Sequence, residues 1–236
     1  MRSLLSHCRG LLGYPAYYQT LAHALRTPDR RRLVVMGNAP LHYDCSALVD
    51  LADVVVRLND CKGAGPRSGT RTTVLCVNNL GSPARKYVDG ALFRRFPSCR
   101  DASEFWFPRN QLVHDLHAAR VGEAISPGEH ADFSAAIIAA NALAARTIVH
   151  FTAAFNETVI STLQQVRHRY QIAETAWSPS TGMFAIAHVL SAPEFREHEV
   201  HLLGFRFQGW SGHHWAAERR LIAEYVREGR VTLHLT

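Results

Sequence analysis

Short apolar runs separated by longer amphipathic segments constrain the fold of this chain more than any other feature. The runs are LVVMG, DVVVRLN, TTVLCVN, EFWFP, TIVHF, EVHLLGF and VTLHL. Apolar runs of about four to eight residues are typical of strands that are buried on both faces, as in parallel sheets. The segments between them, such as NETVISTLQQVRHRY, are typical of helices. The pattern predicts an α/β, Rossmann-like single domain: a mostly parallel sheet of about seven strands with helices on both faces.

The first strand is preceded by a helical lead-in, so we divide the chain into residues 1–32 and residues 33–236. The lead-in ends in the basic run Arg30–Arg32. It is either a helix packed on the core or a basic amphipathic segment that rests on an anionic membrane surface. No stretch reaches the roughly 18 apolar residues of a membrane span, and His7 and Arg9 interrupt any signal-peptide core. These features predict a cytoplasmic protein, with peripheral contact to the inner membrane as the alternative.

Cysteine content and charge narrow the classes of function further. The five cysteines form an odd set without CxxC spacing, which predicts neither a disulfide framework nor a zinc site and fits a reducing cytoplasm. A net charge of +6 suits nucleic acid, anionic lipid or a phosphorylated substrate. Nucleic acid is disfavoured as a partner, because basic and aromatic residues do not interleave on one element.

Residues that directly follow the strands are the first candidates for a binding site, because ligands of open parallel sheets gather at the carboxyl ends of the strands. Gly37 lets the backbone approach a ligand closely, and Asn38 offers both a donor and an acceptor. Asn59 follows the next strand in the same way. An ordinary strand-to-loop turn is the alternative explanation for these residues.

Arg57 lies within the second strand and is expected either to face a phosphate or to be buried. A buried arginine needs a carboxylate partner, for which Asp53 and Asp60 are within reach in sequence. Neither GxGxxG nor GxxxxGK[ST] occurs in the chain, so dinucleotide and P-loop sites are poorly supported.

The segment SPSTG opens a predicted helix with Ser180, Thr181 and Gly182. Free backbone N–H groups and the helix dipole at such a position attract a phosphate or carboxylate. Simple N-capping by Ser180 or Thr181 explains the same residues without a ligand.

Two histidines, His213 and His214, precede the helix WAAERRLIAEYVREG. The helix dipole disfavours the cationic form of a histidine at this end, so a neutral ring there can accept a proton from a hydroxyl group. Solvated loop histidines are the alternative. Metal ligation is not predicted, since HHxxxE is not HExxH and no DxD pair is present.

Three separated segments, taken together, resemble glycosyltransferase family 29, the sialyltransferases. VVMGNAP, VDLADVVVRLND and GTRTT are similar to the long sialyl motif of that family, and SPSTGMFAIAHVL with HEVHLLGF is similar to its short motif. His213 and Glu218 have the H-x4-E spacing of the very short motif. The order and spacing agree over roughly Leu33 to Glu218.

The resemblance implies a metal-independent, inverting glycosyltransferase with a modified GT-A fold and no cofactor. Residues 33–236 would then be a catalytic domain that transfers sialic acid from CMP-sialic acid to a glycan or glycolipid acceptor. His213 would be the general base, with Glu218 in support and His214 as the alternative base. The implied donor-binding residues are Gly37, Asn38, Asn59, Ser180, Thr181 and Gly182.

The chain departs from the animal members of family 29, and the departures leave two other functions open. It has no cysteine after Cys99 to join the long and short motifs, and no membrane anchor, so it resembles a compact bacterial form. A bacterial enzyme could use CMP-Kdo or another CMP-nonulosonate in surface glycan synthesis. A non-catalytic nucleotide- or glycan-binding module, with an incidental histidine pair, is the alternative from another class.

Overall fold

A computed structural model describes residues 31–88, 97–122 and 130–234 of the chain. Within these ranges the strands are β1 (Arg31–Met36), β2 (Val54–Leu58), β3 (Val74–Cys76), β4 (Glu104–Phe107), β5 (Thr147–His150), β6 (His198–Leu203) and β7 (Thr232–Leu233). Each lies within one of the apolar runs of the sequence or overlaps it.

All of these strands belong to one parallel sheet in the order β5-β4-β3-β2-β1-β6-β7. The prediction of a Rossmann-like α/β domain with about seven mostly parallel strands is confirmed. The order reverses between β1 and β6, because the chain builds outward from β1 on one side and then returns to its other side. Ligands of open α/β sheets bind at this kind of switch point.

The helices that connect the strands lie on both faces of the sheet. They are α1 (Ser46–Asp50), α2 (Gly81–Arg85), α3 (Gln111–Arg120), α4 (Ser134–Ala140), α5 (Ala153–Arg169), α6 (Thr181–Ser191) and α7 (Trp215–Arg227). Short 3-10 turns occur at Pro97–Cys99, Leu143–Ala145 and Pro193–Phe195.

The side chains of each strand point alternately to the two faces of the sheet, and this divides the core into two layers. In β1, Leu33 and Val35 pack with α5, α6 and α7, whereas Val34 and Met36 pack with α1 on the opposite face. In β4, Trp106 belongs to the first layer while its neighbours in sequence face the other. Successive side chains of a strand point to opposite faces, so a continuously apolar run is required when both faces are covered.

Two glycines allow the backbone after β1 to approach the backbone after β6 closely at the switch point. Gly37 follows β1 and donates its N–H to the carbonyl oxygen of Leu203 at 2.7 Å, and Ala39 donates to Gly204 at 3.0 Å. A Cβ added to Gly37 would overlap the Gly204 carbonyl group. Gly204 has a φ of 71°, which favours glycine. The ends of β1 and β6 therefore approach each other with no side chain between them.

Arg57 is buried, at 1% exposure. The prediction that a carboxylate group pairs with it is wrong. Its guanidinium donates to backbone carbonyl oxygens of the loop 68–71 at 2.8 to 3.0 Å. Asp53 instead accepts from the N–H of Arg32, and Asp60 pairs with Lys62. The loop carbonyl groups accept from Nε and Nη2, Nη1 has no hydrogen-bond partner among the described residues, and burial lowers the pKa of the arginine.

The predicted lead-in, residues 1–32, lies outside the described residues except for its last two, which are already part of β1. Its packing and its contact with a membrane stay predictions. None of the helices in the described part of the chain combines the length and the apolar character needed to cross a bilayer.

We expect Gly37→Ala to destabilise the fold by about 3 kcal/mol or more, because overpacking against rigid backbone cannot be relieved by a side-chain rotation. Gly65→Ala is the matched control, since a Cβ there meets nothing within 4 Å, and it should change stability by less than about 1 kcal/mol. Urea unfolding of both variants measures the difference. Equal losses would contradict a close backbone approach at the switch point.

Candidate functional site

Two cavities lie at the carboxyl edge of the sheet and share a wall. The first, of about 410 Å³, lies beside the residues that follow β1, β2 and β6, and we call it the switch-point cavity. The second, of about 530 Å³, extends toward the residues that follow β3 and β4, and we call it the lateral cavity. The side chains that line both are Asn38, Asn59, Thr181 and His213.

The structure brings most of the sequence-predicted site residues to the switch-point cavity. Those that line it are Gly37, Asn38, Asn59, Ser180, Thr181, Gly182 and His213. His214 and Glu218 do not line it, and both are buried beneath it in the fold. The roles that the sequence predicted for these residues as donor ligands stay predictions.

Each of the two asparagines uses one atom of its side-chain amide in a hydrogen bond within the protein. Asn38 donates its Nδ2 to the Leu58 carbonyl oxygen at 3.2 Å, which leaves its Oδ1 as an acceptor. Asn59, at a φ of 55°, accepts a bond from the N–H of Asn78 through Oδ1 at 2.9 Å, which leaves its Nδ2 as a donor. The cavity wall therefore presents one amide acceptor and one amide donor.

The start of α6 presents unpaired backbone donors to the cavity. Ser180 is the N-cap: its hydroxyl accepts from the N–H of Met183 at 3.0 Å, and its carbonyl accepts from Phe184. The N–H groups of Thr181 and Gly182 have no hydrogen-bond partner among the described residues. Free N–H groups and the positive end of the helix dipole favour an anion at this position.

Glu218 stabilises the start of α6 from below. Its carboxyl group accepts from the N–H and the hydroxyl of Ser180, both at 2.7 Å, although α7 and α6 are far apart in sequence. Glu218 is 2% exposed. Burial raises its pKa to about 7, against the opposing effects of the Ser180 hydrogen bonds and the charge of Arg109. The spacing between His213 and Glu218 thus reflects a structural link between two helices.

The His213 ring is held in one tautomer. Its Nδ1 lies 3.0 Å from the Ser178 carbonyl oxygen, which can only accept, so the proton of the neutral ring is on Nδ1. The lone pair of Nε2 is then available to a ligand. Trp210 and Trp215 flank the ring at about right angles, with centroids 4.9 and 5.0 Å away. Burial, and then the charge of Arg109, lower the pKa of His213 to about 3.

His214 has a different environment from its neighbour. It is 1% exposed, and neither ring nitrogen has a hydrogen-bond partner in the described structure. Burial lowers its pKa to about 4, with the charge of Arg167 as the second cause. Of the two histidines, only His213 lines the cavities, so the geometry favours it over His214 as a proton acceptor.

Arg109 belongs to the site but was not among the sequence-predicted residues. It is 6% exposed, lines the lateral cavity, and donates to the Ser178 hydroxyl and the Pro179 carbonyl oxygen. Burial lowers its pKa to about 10. The signal was present in the sequence, since Arg109 directly follows the apolar run EFWFP, at the same kind of strand end as Asn38.

Possible metal ligands occur at a different place from the predicted site. His114, Asp115 and His130 each offer a ligand atom, and these atoms lie within 4.8 Å of one another. No spacing in the sequence indicates this group, because fifteen positions separate Asp115 from His130. Burial, and then the charge of Arg109, lower the pKa of His114 to about 2.

No protein-family model matches the chain. The chain is 30% identical over 216 residues to the urease operon 23 kDa accessory protein of Rhizobium meliloti (strain 1021), and the match covers 85% of this chain and 91% of that protein. The chain belongs to the family of this urease operon accessory protein. Among solved structures, a mammalian sialyltransferase matches with a TM-score of 0.47 and 16% identity, over 87% of this chain and 69% of that one.

Membership of the urease accessory family corrects the function expected from the sequence. The predicted transfer of sialic acid from CMP-sialic acid is wrong, and so is the CMP-Kdo alternative, because the curated relative has a different role. The non-catalytic nucleotide- or glycan-binding alternative gains no support from that relative either.

The physical reason for the error lies in what the motif residues do. Gly37 permits the approach of two backbones, Ser180 caps a helix, and Glu218 accepts hydrogen bonds from Ser180. A Rossmann-like sheet needs such residues at its strand ends and helix starts whatever its chemistry, so similarity at these positions does not establish an activity. The CMP-sugar donor and the glycan acceptor were inferred from that resemblance alone.

We expect Glu218→Gln to gain stability relative to the wild type as the pH rises. An unfolded Glu218 loses its proton near pH 4.5, whereas the folded one keeps it to about pH 7. The raised pKa therefore contributes fully to the free energy of unfolding of the wild type below pH 4.5. This contribution, on the order of 3 kcal/mol, is lost as the pH rises from 4.5 through 7, and the glutamine variant does not have it. Urea unfolding of both proteins across this range measures the difference. A difference independent of pH would contradict the raised pKa.

Proposed function

We propose that this protein acts in the accessory role of a urease operon, like its relative, as an enzyme that binds a small anionic compound and removes a proton with His213. The observation that carries the proposal is the fixed tautomer of His213, whose free Nε2 lines a cavity beside the unpaired N–H groups of α6. The substrate in this proposal is a phosphorylated or carboxylated compound.

The anion site is supported by the groups around the switch-point cavity. The N–H groups of Thr181 and Gly182 supply two donors at the positive end of a helix dipole. Arg206 also lines this cavity, and Lys62 and Lys86 line the lateral cavity. The net charge of +6 favours the approach of anions in general. A phosphate bound at α6 would lie at the wall that both cavities share.

Proton transfer is supported by the position of His213 at the same wall. Burial and the charge of Arg109 lower its pKa to about 3, below the value that an effective general base requires at neutral pH. A bound anion stabilises the imidazolium and offsets the charge of Arg109, so it raises the pKa of the ring toward neutrality. The histidine would then take up a proton from a hydroxyl group or a water molecule only when the substrate is present.

The predicted cytoplasmic location is part of this proposal. Cys61, Cys76 and Cys99 are buried free thiols, which is the usual state of cysteines in a reducing compartment.

We expect Thr181→Pro to weaken the binding of inorganic phosphate by about 10- to 100-fold, the value of one charge-assisted hydrogen bond. Thr181 is the first residue of α6 and Ser180 is extended, at φ −69° and ψ 157°. Proline fits this position and removes only the N–H and the hydroxyl. Titration followed by amide NMR shifts, with Gly182 as the reporter, measures the affinity.

Two control variants separate the N–H from other effects of that substitution. Thr181→Val keeps the N–H and loses the hydroxyl, so it should bind phosphate more tightly than Thr181→Pro. Ala153→Pro places a proline at the first residue of α5, whose N-cap Thr152 has nearly the same backbone angles, −68° and 159°. It should leave phosphate binding unchanged. If Thr181→Pro binds phosphate as well as the wild type, the anion site is wrong.

We expect this chain to restore urease activity to Rhizobium meliloti cells that lack their 23 kDa accessory protein, and His213→Gln to fail in the same cells. Glutamine keeps a donor for the Ser178 carbonyl oxygen and cannot take up a proton. Ala153→Pro serves as the active control, and immunoblotting shows that all proteins accumulate equally. Full restoration by His213→Gln would contradict the proton-transfer role, and unchanged urease activity in cells without either protein would contradict the accessory role.

A further inference from the structure

A second cluster of polar side chains lies at the lateral cavity, away from the start of α6. His114 and Asp115 are neighbours on α3, and His130 lies in the segment before α4. The Oδ1 of Asp115 and the Nδ1 of His130 are 3.0 Å apart. The ligand atoms of all three side chains lie within 4.8 Å of one another.

These separations suit a shared ion. Two ligand atoms about 2.0–2.1 Å from one metal ion, at tetrahedral or octahedral angles, are roughly 3 Å apart. The carboxylate of Asp115 and the ring of His130 already have that spacing. The ligand atom of His114 lies within 4.8 Å of the other two, so a change in its side-chain angles would bring it to the same ion.

The two histidine rings are held in place by an aromatic neighbour. Trp177 is 5% exposed, and its ring packs against His114 at 4.4 Å and against His130 at 5.5 Å between centroids. The Nδ1 atom of His114 is buried and has no hydrogen-bond partner in the described structure. A buried ring nitrogen without a partner costs free energy unless a ligand satisfies it.

The remaining side of the cluster is open. His114 and His130 both line the lateral cavity, which has a volume of about 530 Å³. Three protein ligands with an open side are the arrangement of metal sites that bind further ligands, whereas closed structural sites use four. The aspartate supplies the negative charge of the set.

We propose that His114, Asp115 and His130 bind a divalent first-row transition-metal ion whose open positions face the lateral cavity. Two imidazole nitrogens and one carboxylate oxygen favour Zn²⁺, Ni²⁺ or Co²⁺ over Mg²⁺ and Ca²⁺, which prefer oxygen ligands. With a single anionic ligand the bound ion keeps a net positive charge, and it attracts an anion to a cavity that adjoins His213. The metal site does not depend on the proposed function, because its test measures metal binding alone.

Calorimetric titration of the full chain with Zn²⁺, after removal of metal by a chelator and dialysis, tests the site. We expect one site that is tighter than any other in the protein. Loss of an outer partner of a metal ligand costs about 10- to 100-fold in affinity, so loss of a direct ligand should cost more than about 100-fold. Asp115→Asn and His130→Gln are near-isosteric variants chosen to preserve the fold, and thermal unfolding without metal checks that they do.

A matched control and a second readout make the result specific. His168→Gln, at an exposed histidine of α5, should bind Zn²⁺ like the wild type. Binding of Ni²⁺ should quench the fluorescence of Trp177. Trp177→Phe should therefore lose part of the quenching and keep the affinity, since Trp210 also lines the cavity, whereas His130→Gln should lose both the quenching and the affinity.

Several outcomes would overturn the metal site. Unchanged Zn²⁺ affinity in both Asp115→Asn and His130→Gln would show that the ion binds elsewhere. Wild-type affinity no tighter than that of His130→Gln would show the same. Equal displacement of Zn²⁺ by equimolar Mg²⁺ would contradict a site with two imidazole ligands. Phosphate binding that fails to respond to Thr181→Pro would contradict the anion site and leave the metal site intact, so the two failures are distinguishable.

Discussion

The contact between Gly37 and Gly204 is the constraint on which the site depends. Here the sheet changes direction, and the two backbones come so close that a Cβ on Gly37 would overlap the Gly204 carbonyl group. Beyond this point the loops after β1 and β6 separate and leave the switch-point cavity between them. A bulkier residue at either position would move β1 relative to β6, and both walls of the cavity would shift with them.

A chain of buried polar contacts links this cavity to the helices behind it. Arg109 donates to Ser178 and Pro179, the Ser178 carbonyl oxygen orients His213, and Ser180 is held by Glu218. All of these groups except the half-buried His213 are buried, so leaving one without its partner would be costly. The network therefore fixes the His213 tautomer and the start of α6 together.

Family membership and local geometry answer different questions about this protein. The urease accessory relative shows which family the chain belongs to, while a sheet of this kind supports many unrelated reactions. Motif similarity to sialyltransferases arose at residues that serve the fold, such as the Ser180 cap. Among the residues that the sequence predicted for the site, the groups left free for a ligand are the Nε2 of His213, the N–H groups at the start of α6, and the unused amide atoms of Asn38 and Asn59.

The sequence by itself determined the sheet and the edge at which the site lies. Continuously apolar strands and their intervening helices required a covered parallel sheet, and Asn38, Asn59 and Thr181 follow its strands or open a helix. Only the tertiary structure decided the partners, because these depend on contacts between distant segments. Arg57 is paired with loop carbonyl groups in place of Asp53 or Asp60. Glu218 lies beneath Ser180, with which it forms two hydrogen bonds, and His130 contacts Asp115 directly beside the lateral cavity. Packing between distant segments, and not spacing along the sequence, brings such groups together.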